Sequence, residues 1–116
     1  MQLTVTDVEQ LKKKVRKMTA GRVLAGGVAN VCLEMGTVRG CRVMVAAGFG
    51  PLSEGPQAVE RDRLLWILDG RLEVHDASGE ASYVSQGESA VLSAGRPFQL
   101  VFPQLTIYLA VEPAAD

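Results

Sequence analysis

Few side chains in this sequence could do chemistry, and their spacing narrows what that chemistry is. His75 is the only histidine. It lies in R-L-E-V-H-D, where Arg71, Glu73 and His75 alternate with Leu72 and Val74. That alternation puts the histidine on the polar, outward side of a strand. A Ser–His–Asp arrangement needs its histidine beside a nucleophile in a pocket, so none is available. Cys32 and Cys41 are the only thiols. Two cysteines make no disulfide framework, and both are read as reduced, small, buried residues. Cys41 beside an inward arginine would be a nucleophile candidate, but no histidine is placed to activate it. No glycine-rich loop leads into a helix to cradle a phosphate, since G-G-V-A-N runs into a strand. That leaves Arg61 and Arg63, which share one face if the segment around them is a strand.

The elements that hold these residues follow from length and pattern. A chain of 116 residues is one domain. With 47% hydrophobic and 22% charged residues it should fold around a single core. A net charge of −1 gives no reason to expect nucleic acid. No apolar run approaches the roughly 20 residues of a membrane helix. The opening M-Q-L-T-V-T-D has no basic-then-apolar signal pattern, so a cytoplasmic protein is expected.

Residues 6–19 read as a helix. Thr6 and Glu9 form a capping box, and Val8, Leu11, Val15 and Met18 make one apolar stripe. Lys12, Lys13, Lys14, Arg16 and Lys17 then cover a solvated face, with no aromatic residue interleaved for nucleic acid. Beyond the helix, glycine-containing turns punctuate short Val- and Leu-rich runs, the mark of an all-β sandwich or barrel. Residues 22–25 read as a short strand. Val31, Leu33 and Met35 alternate with Asn30, Cys32 and Glu34, giving a strand that Gly36-Thr37 ends. A strand from Cys41 to Ala46 is apolar on both faces and therefore central. Residues 48–56 read as a loop. Val59 to Leu68, a tight Asp69-Gly70 turn, and Arg71 to His75 read as a hairpin, and the D-A-S-G turn makes a second one. Two in succession form a β-meander. Phe98 to Phe102 and Thr106 to Val111 flank Pro103-Gln104 as a last hairpin. The apolar strand 106–111 needs a cover, either the helix or a second subunit, and Trp66 with Tyr108 on an outward face would suit a homodimer.

The stretch from W-I-L-D-G-R-L-E-V to G-E-S-A-V-L-S-A-G-R-P-F resembles the heart of a small single-domain cupin. The cupin pattern is G-x5-H-x-H-x3/4-E-x6-G followed by G-x5-P-x-G-x2-H-x3-N. Gly70 matches the last glycine of the first motif, and Gly87 and Gly95 match those of the second. The resemblance covers residues 38–111. It implies an all-β fold, a double-stranded β-helix (jelly-roll) barrel with one N-terminal α-helix. The division expected is helix 1–20, barrel 21–112 and a frayed tail 113–116. The metal-holding positions depart from the pattern. Arg63 stands at the acidic position, and residues 56–59, where the histidines fall, contain none. Phe98 and Phe102 stand at the second-motif histidine and asparagine, and Ser93 at the proline. A metal site needs imidazole, carboxylate or thiolate donors, so no metal and no cofactor is expected.

Strand parity then nominates a lining. An inward Arg63 carries Arg61, Leu65 and Ile67 with it and sends Trp66 outward; an inward Phe98 carries Leu100 and Phe102. Two interiors are compatible with this. In one, the aromatics fill the barrel and Arg61 and Arg63 reach solvent or pair with Glu60, Asp62 or Glu54. In the other, an open cavity binds a small organic anion, with arginine holding its carboxylate and Phe98 and Phe102 touching its body. Some metal-free cupins are epimerases that use a His–Tyr pair. Here Tyr83 is expected opposite Leu72, on the other face from His75, so no catalytic residue is assigned. The functional expectation is a metal-free module that binds a small organic acid, without membrane or nucleic-acid partners. The alternatives are a metal-independent isomerase or lyase, resembling the ethanolamine-utilisation cupins, and a filled barrel that acts through its surface.

Overall fold

Alternating apolar residues carry most of the chain into strands, and one long strand ties them together. The computed structural model describes residue 3 and residues 5–114, so part of the tail expected to fray lies outside the described residues. The single helix among the described residues, α1 (Val8–Leu24), starts at Asp7, whose carboxylate accepts the Gln10 backbone N–H at 3.1 Å. Asp7, not Thr6, is therefore the cap: its short carboxylate satisfies one of the orphan amides of the first turn. The helix also absorbs residues 22–24, so the short strand expected over 22–25 does not form. Its last turn is closed by Ala25 N–H to Gly21 O at 3.2 Å before Gly26-Gly27 breaks it.

Eight strands follow among the described residues: β1 (Ala29–Val38), β2 (Cys41–Pro51), β3 (Gln57–Ala58), β4 (Arg63–Asp69), β5 (Arg71–Asp76), β6 (Ala81–Ser85), β7 (Ser89–Leu92) and β8 (Pro97–Pro113). β1 runs through Gly36-Thr37 with a register shift there, and the turn falls at Arg39-Gly40, both at positive φ. β2 continues to Pro51, so residues 48–51 belong to a strand and not to the loop expected over 48–56.

β8 organises the barrel. The expected hairpin at Pro103-Gln104 does not form; 97–113 is one bent strand. Its first half pairs with β3, β5 and the last residues of β2, and its second half with the rest of β2 and with β4. Proline lacks an N–H for a ladder, and Pro103 is exposed where the strand crosses from one sheet to the other. One layer is thus β1-β2-β8-β4-β7, and β6-β5 with the first half of β8 and β3 forms the facing layer. β4 and β5 do not pair with each other, so the expected first hairpin and meander are absent. Both use β8, one on each side of the bend, and Gly70 is the corner between them. Thr106 clamps that corner: its Oγ1 accepts the Arg71 N–H at 3.1 Å and lies 3.0 Å from the carbonyl oxygens of Arg71 and Gln104. The second hairpin, β5–β6, forms as expected.

Two apolar clusters result. Inside the barrel Leu65, Ile67, Leu72, Leu92, Phe102 and Tyr108 are fully or almost fully buried. On the outer face, Val15 of α1 packs with Val31, Val45, Ala47 and Ile107. The helix is therefore the cover that strand 106–111 required. Each fully buried residue of this size contributes roughly 1.5–3 kcal/mol. Thr19, four residues after Val15, takes the buried place expected for Met18, which is exposed. An exposed Arg16–Asp69 ion pair at 2.8 Å, worth about 0–1 kcal/mol, joins helix to barrel.

Candidate functional site

The inner face of the five-stranded layer changes character along its strands. Register places Arg42 of β2 opposite Glu112 of β8, and Leu64 of β4 opposite Val111, so Arg63 and Glu112 are neighbours. Arg63 in turn lies opposite Leu92 of β7. The result is a row of cation, anion, cation at one end of the barrel. Glu112 Oε1 pairs with the Arg42 guanidinium, and Oε2 stands 3.1 Å from Arg63 Nε. The latter contact has ion-pair distance without hydrogen-bond alignment: the Nε atoms of both arginines are buried and have no hydrogen-bond partner. One carboxylate thus leaves much of the roughly five-donor capacity of each guanidinium unused.

An open pocket of about 340 Å³ lies over this row, lined by Arg42, Arg61, Arg63, Glu60, Glu112 and Val59. A second, larger depression of about 410 Å³ is lined by Phe98, Pro97, Arg96, Asp76, Ala77 and Ser78. Its one cation is Arg96, and the Asp76 Oδ1 there is taken up by the Ser78 N–H, the Ser78 hydroxyl and the Glu80 N–H. The first pocket, where guanidiniums converge, is the better-equipped site.

The sequence-nominated lining divides. Arg61 and Arg63 face the first pocket. Phe98 is partly buried against the core and lines the second depression. Leu65, Ile67, Leu100 and Phe102 do face inward, but as packed core. Phe102 stacks on Tyr108 with ring centroids 5.2 Å apart and planes 14° from parallel. Arg63 pairs with Glu112, not with Glu60, Asp62 or Glu54; Asp62 accepts the Ala94 N–H at 2.7 Å.

Tyr108 points inward, against the outward face expected for it. Its hydroxyl donates to Asn30 Oδ1 at 2.7 Å. Burial pushes its pKa far up, and Arg63 only partly offsets that, so it is a neutral hydrogen-bond group and not a base. Trp66 does point outward, 46% exposed. Cys32 is exposed on the edge strand β1, and Cys41 is half-buried, so neither is the buried apolar residue expected. Although the Cys32 residue is exposed as a whole, crowding of its thiol raises its pKa, with Arg63 pulling the other way. A thiol held protonated is a poor nucleophile. Tyr83 lies opposite Glu73, not Leu72. It therefore shares the outer face with His75, and the Arg71 guanidinium covers its ring at 4.6 Å. His75 sits 3.4 Å from Glu73 on that same outer surface. This pair lies outside the barrel, away from either guanidinium of the row.

Glu112 and Arg42 were missing from the sequence-based lining. The signal was parity: Tyr108, Ala110 and Glu112 share a face, as do Arg42, Met44 and Ala46. The residues at this end do not fit a transition metal. Two guanidiniums, Arg42 and Arg63, flank the Glu112 carboxylate, and no imidazole or thiolate lines the pocket beside them. Among the described residues, no cluster of three or more His, Cys, Asp or Glu side chains could hold one. No helix among them is long and apolar enough to cross a membrane.

No family model and no curated protein matches the sequence. Solved structures match the architecture. The chain superposes on the EutQ protein of Clostridium difficile with a TM-score of 0.72 at 15% identity, covering 98% of this chain and 89% of that one. A cupin-2 domain protein of Shewanella frigidimarina gives 0.66 at 10% identity, over 86% and 97%. A Rhizobium leguminosarum protein of unknown function gives 0.67 at 14% identity, over 99% and 100%. The fold is that of the cupins. The resemblance carried by Gly70, Gly87 and Gly95 is therefore matched in three dimensions: a small cupin barrel with one N-terminal helix.

Proposed function

We propose that this chain is a binding protein that holds a small organic acid, without metal, at the arginine end of its cupin barrel. The observation that carries the reading is the Arg42–Glu112–Arg63 row under an open pocket that Arg61 also lines. A ligand carboxylate would take up guanidinium donors that Glu112 leaves free, and charge-assisted bonds of that kind are roughly twice as strong as neutral ones. Val59 is the apolar contact in the lining. A volume of about 340 Å³ is at the small end of ligand sites. In this reading Arg61 and Arg63 keep the role the sequence suggested, Arg42 joins them, and Leu65, Ile67, Leu100 and Phe102 form the rigid floor beneath.

The test is titration calorimetry with propionate, butyrate and benzoate, on the wild type and on Arg63→Ala. Saturable binding that the variant weakens at least tenfold is expected; no binding of any of the three defeats the reading. Elemental analysis after metal supplementation should give well below one metal per chain. The full burial of Phe102 and Tyr108 favours one other reading, a filled barrel acting through its surface. Proteins with no anion affinity but an intact fold would leave that one standing.

We propose that this chain, expected in the cytoplasm, forms a homodimer. The support is on the outer face of β4 and β7, where Trp66 and Val91 are 46% and 65% exposed and the partly buried Leu64 lies opposite Val91. Apolar sheet surface left bare beside a helix is a common docking face. Sedimentation of the wild type should report a dimer that Trp66→Lys weakens.

A further inference from the structure

We infer that the arginine pocket selects singly charged carboxylates, and that Glu112 sets this choice as a built-in anion. The inference rests on the anion-binding reading above and names the ligand class it did not. The pocket gathers three guanidiniums, Arg42, Arg61 and Arg63, against two carboxylates, Glu60 and Glu112. The surplus is one positive charge. One ligand carboxylate neutralises it. A second would enter a cleft where Glu112, 15% exposed in its side chain, already sits between the two cations best placed to receive it. Once the first ligand carboxylate has neutralised the surplus, a second brings a desolvation cost that no further net positive charge in the pocket offsets.

The geometry makes Glu112 the discriminating group. It is fixed by register, with a cation on the neighbouring strand at each side. Both of its oxygens are engaged, one by each arginine. It therefore fills the seat a second ligand carboxylate would need, as an internal competitor tethered at high local concentration. Glu60, exposed at the rim, adds like-charge repulsion at the entrance. Replacing Glu112 by glutamine keeps the shape and removes the charge, which raises the surplus to two.

The experiment compares matched pairs in which a methyl group becomes a carboxylate: propionate against malonate, and butyrate against succinate, at pH 7.5 and fixed ionic strength. Affinities are measured for the wild type, Glu112→Gln, Glu60→Gln and Arg63→Ala. Wild type should prefer the monoanion of each pair by tenfold or more. Glu112→Gln should reverse that preference, its gain for malonate exceeding the wild-type ratio, and Glu60→Gln should shift it the same way by a few-fold. If Glu112→Gln does not fold, the wild-type ratio and the rim variant still decide. Wild type that binds malonate as well as propionate, with both lost in Arg63→Ala, overturns the inference while the anion reading stands. A reversal that fails to appear in folded Glu112→Gln overturns it too. No binding of any of the four acids to any variant overturns the anion reading itself, and the inference with it.

Discussion

The inner face of the five-stranded layer holds a closed row and an open row only two steps apart along the strands. The closed row is Cys32, Ala46, Tyr108 and Ile67, and the open one is Arg42, Glu112, Arg63 and Leu92. In the closed row small Ala46 makes room for Tyr108, which Phe102 covers from the facing sheet. Gly48 completes it: a Cβ there would lie 2.5 Å from the Phe102 ring. Over the open row lies the segment between β3 and β4, with Val59, Glu60 and Arg61, and the side chains of the row are mostly long and charged. Strands β2, β8 and β4 and their pairings serve both. What differs is side-chain length and what lies opposite, a packed ring from β8 in one case and a connecting segment in the other. A barrel of this kind can therefore keep a dry, tightly packed floor and change its mouth through a few residues. Perturbing each row should show whether they are energetically separate.

The largest effect is expected in the closed row. Phe102→Ala removes a fully buried ring that both Tyr108 and Gly48 are shaped around. Urea denaturation should show a loss of about 3–5 kcal/mol. Stability lost by less than 1 kcal/mol would mean the barrel interior is not sealed. Gly70→Ala comes next. Gly70 has φ +107°, and a Cβ would meet Thr106 Oγ1 at 2.5 Å and Thr106 Cα at 2.9 Å. Backbone strain and overpacking together should remove about 2–4 kcal/mol. An unchanged midpoint would show that the Thr106 clamp does not set the sheet corner.

In the open row, Arg63→Ala should cost less stability, about 1–2 kcal/mol, because Glu112 keeps Arg42 as partner and the row is partly solvated. Its main effect should be on anion affinity, with a loss of at least tenfold by calorimetry. If Arg63→Ala destabilises as much as Phe102→Ala, the two rows are not separate and the charged row is a structural plug.

Much of this division was legible in the residues. The period-two alternation in N-V-C-L-E-M and R-L-L-W-I assigned strand faces correctly, because burial of one face is a local property of a strand. The turn at Gly70 was legible as a turn but not as a sheet corner. Asp-Gly reports only that the chain bends there, whereas pairing with β8 on either side depends on residues about forty positions away. Pro103 had the opposite effect: it reads as a strand breaker, yet here it sits at the exposed crossing where an N–H is not required. That hid the continuity of β8, and with it Glu112, which stands one residue past the expected strand end at Val111. Arg42 was hidden for a related reason. Its strand looked apolar on both faces, and its partner was unknown without the register.

The smallest effect separates the rows by pH. Tyr108→Phe removes one hydroxyl that donates to Asn30 at 2.7 Å at the edge of the closed row. At neutral pH the cost should be about 1 kcal/mol. Burial raises the Tyr108 pKa well above its usual value near 10. The folded chain therefore keeps this proton where the unfolded chain releases it, and the unfolded state binds fewer protons above pH 10. Stability from this group is full below pH 10 and falls as pH rises toward the folded value, by up to about 1.4 kcal/mol per pH unit. Tyr108→Phe lacks that loss. The wild-type advantage should shrink above pH 10 and vanish roughly one pH unit higher, where the variant becomes the more stable protein. Denaturation midpoints of the two proteins measured from pH 7 to 11.5 give the crossing directly. Parallel curves would place the hydroxyl in contact with solvent, and the polar character of the mouth would then reach two rows deeper into the barrel than its packing indicates.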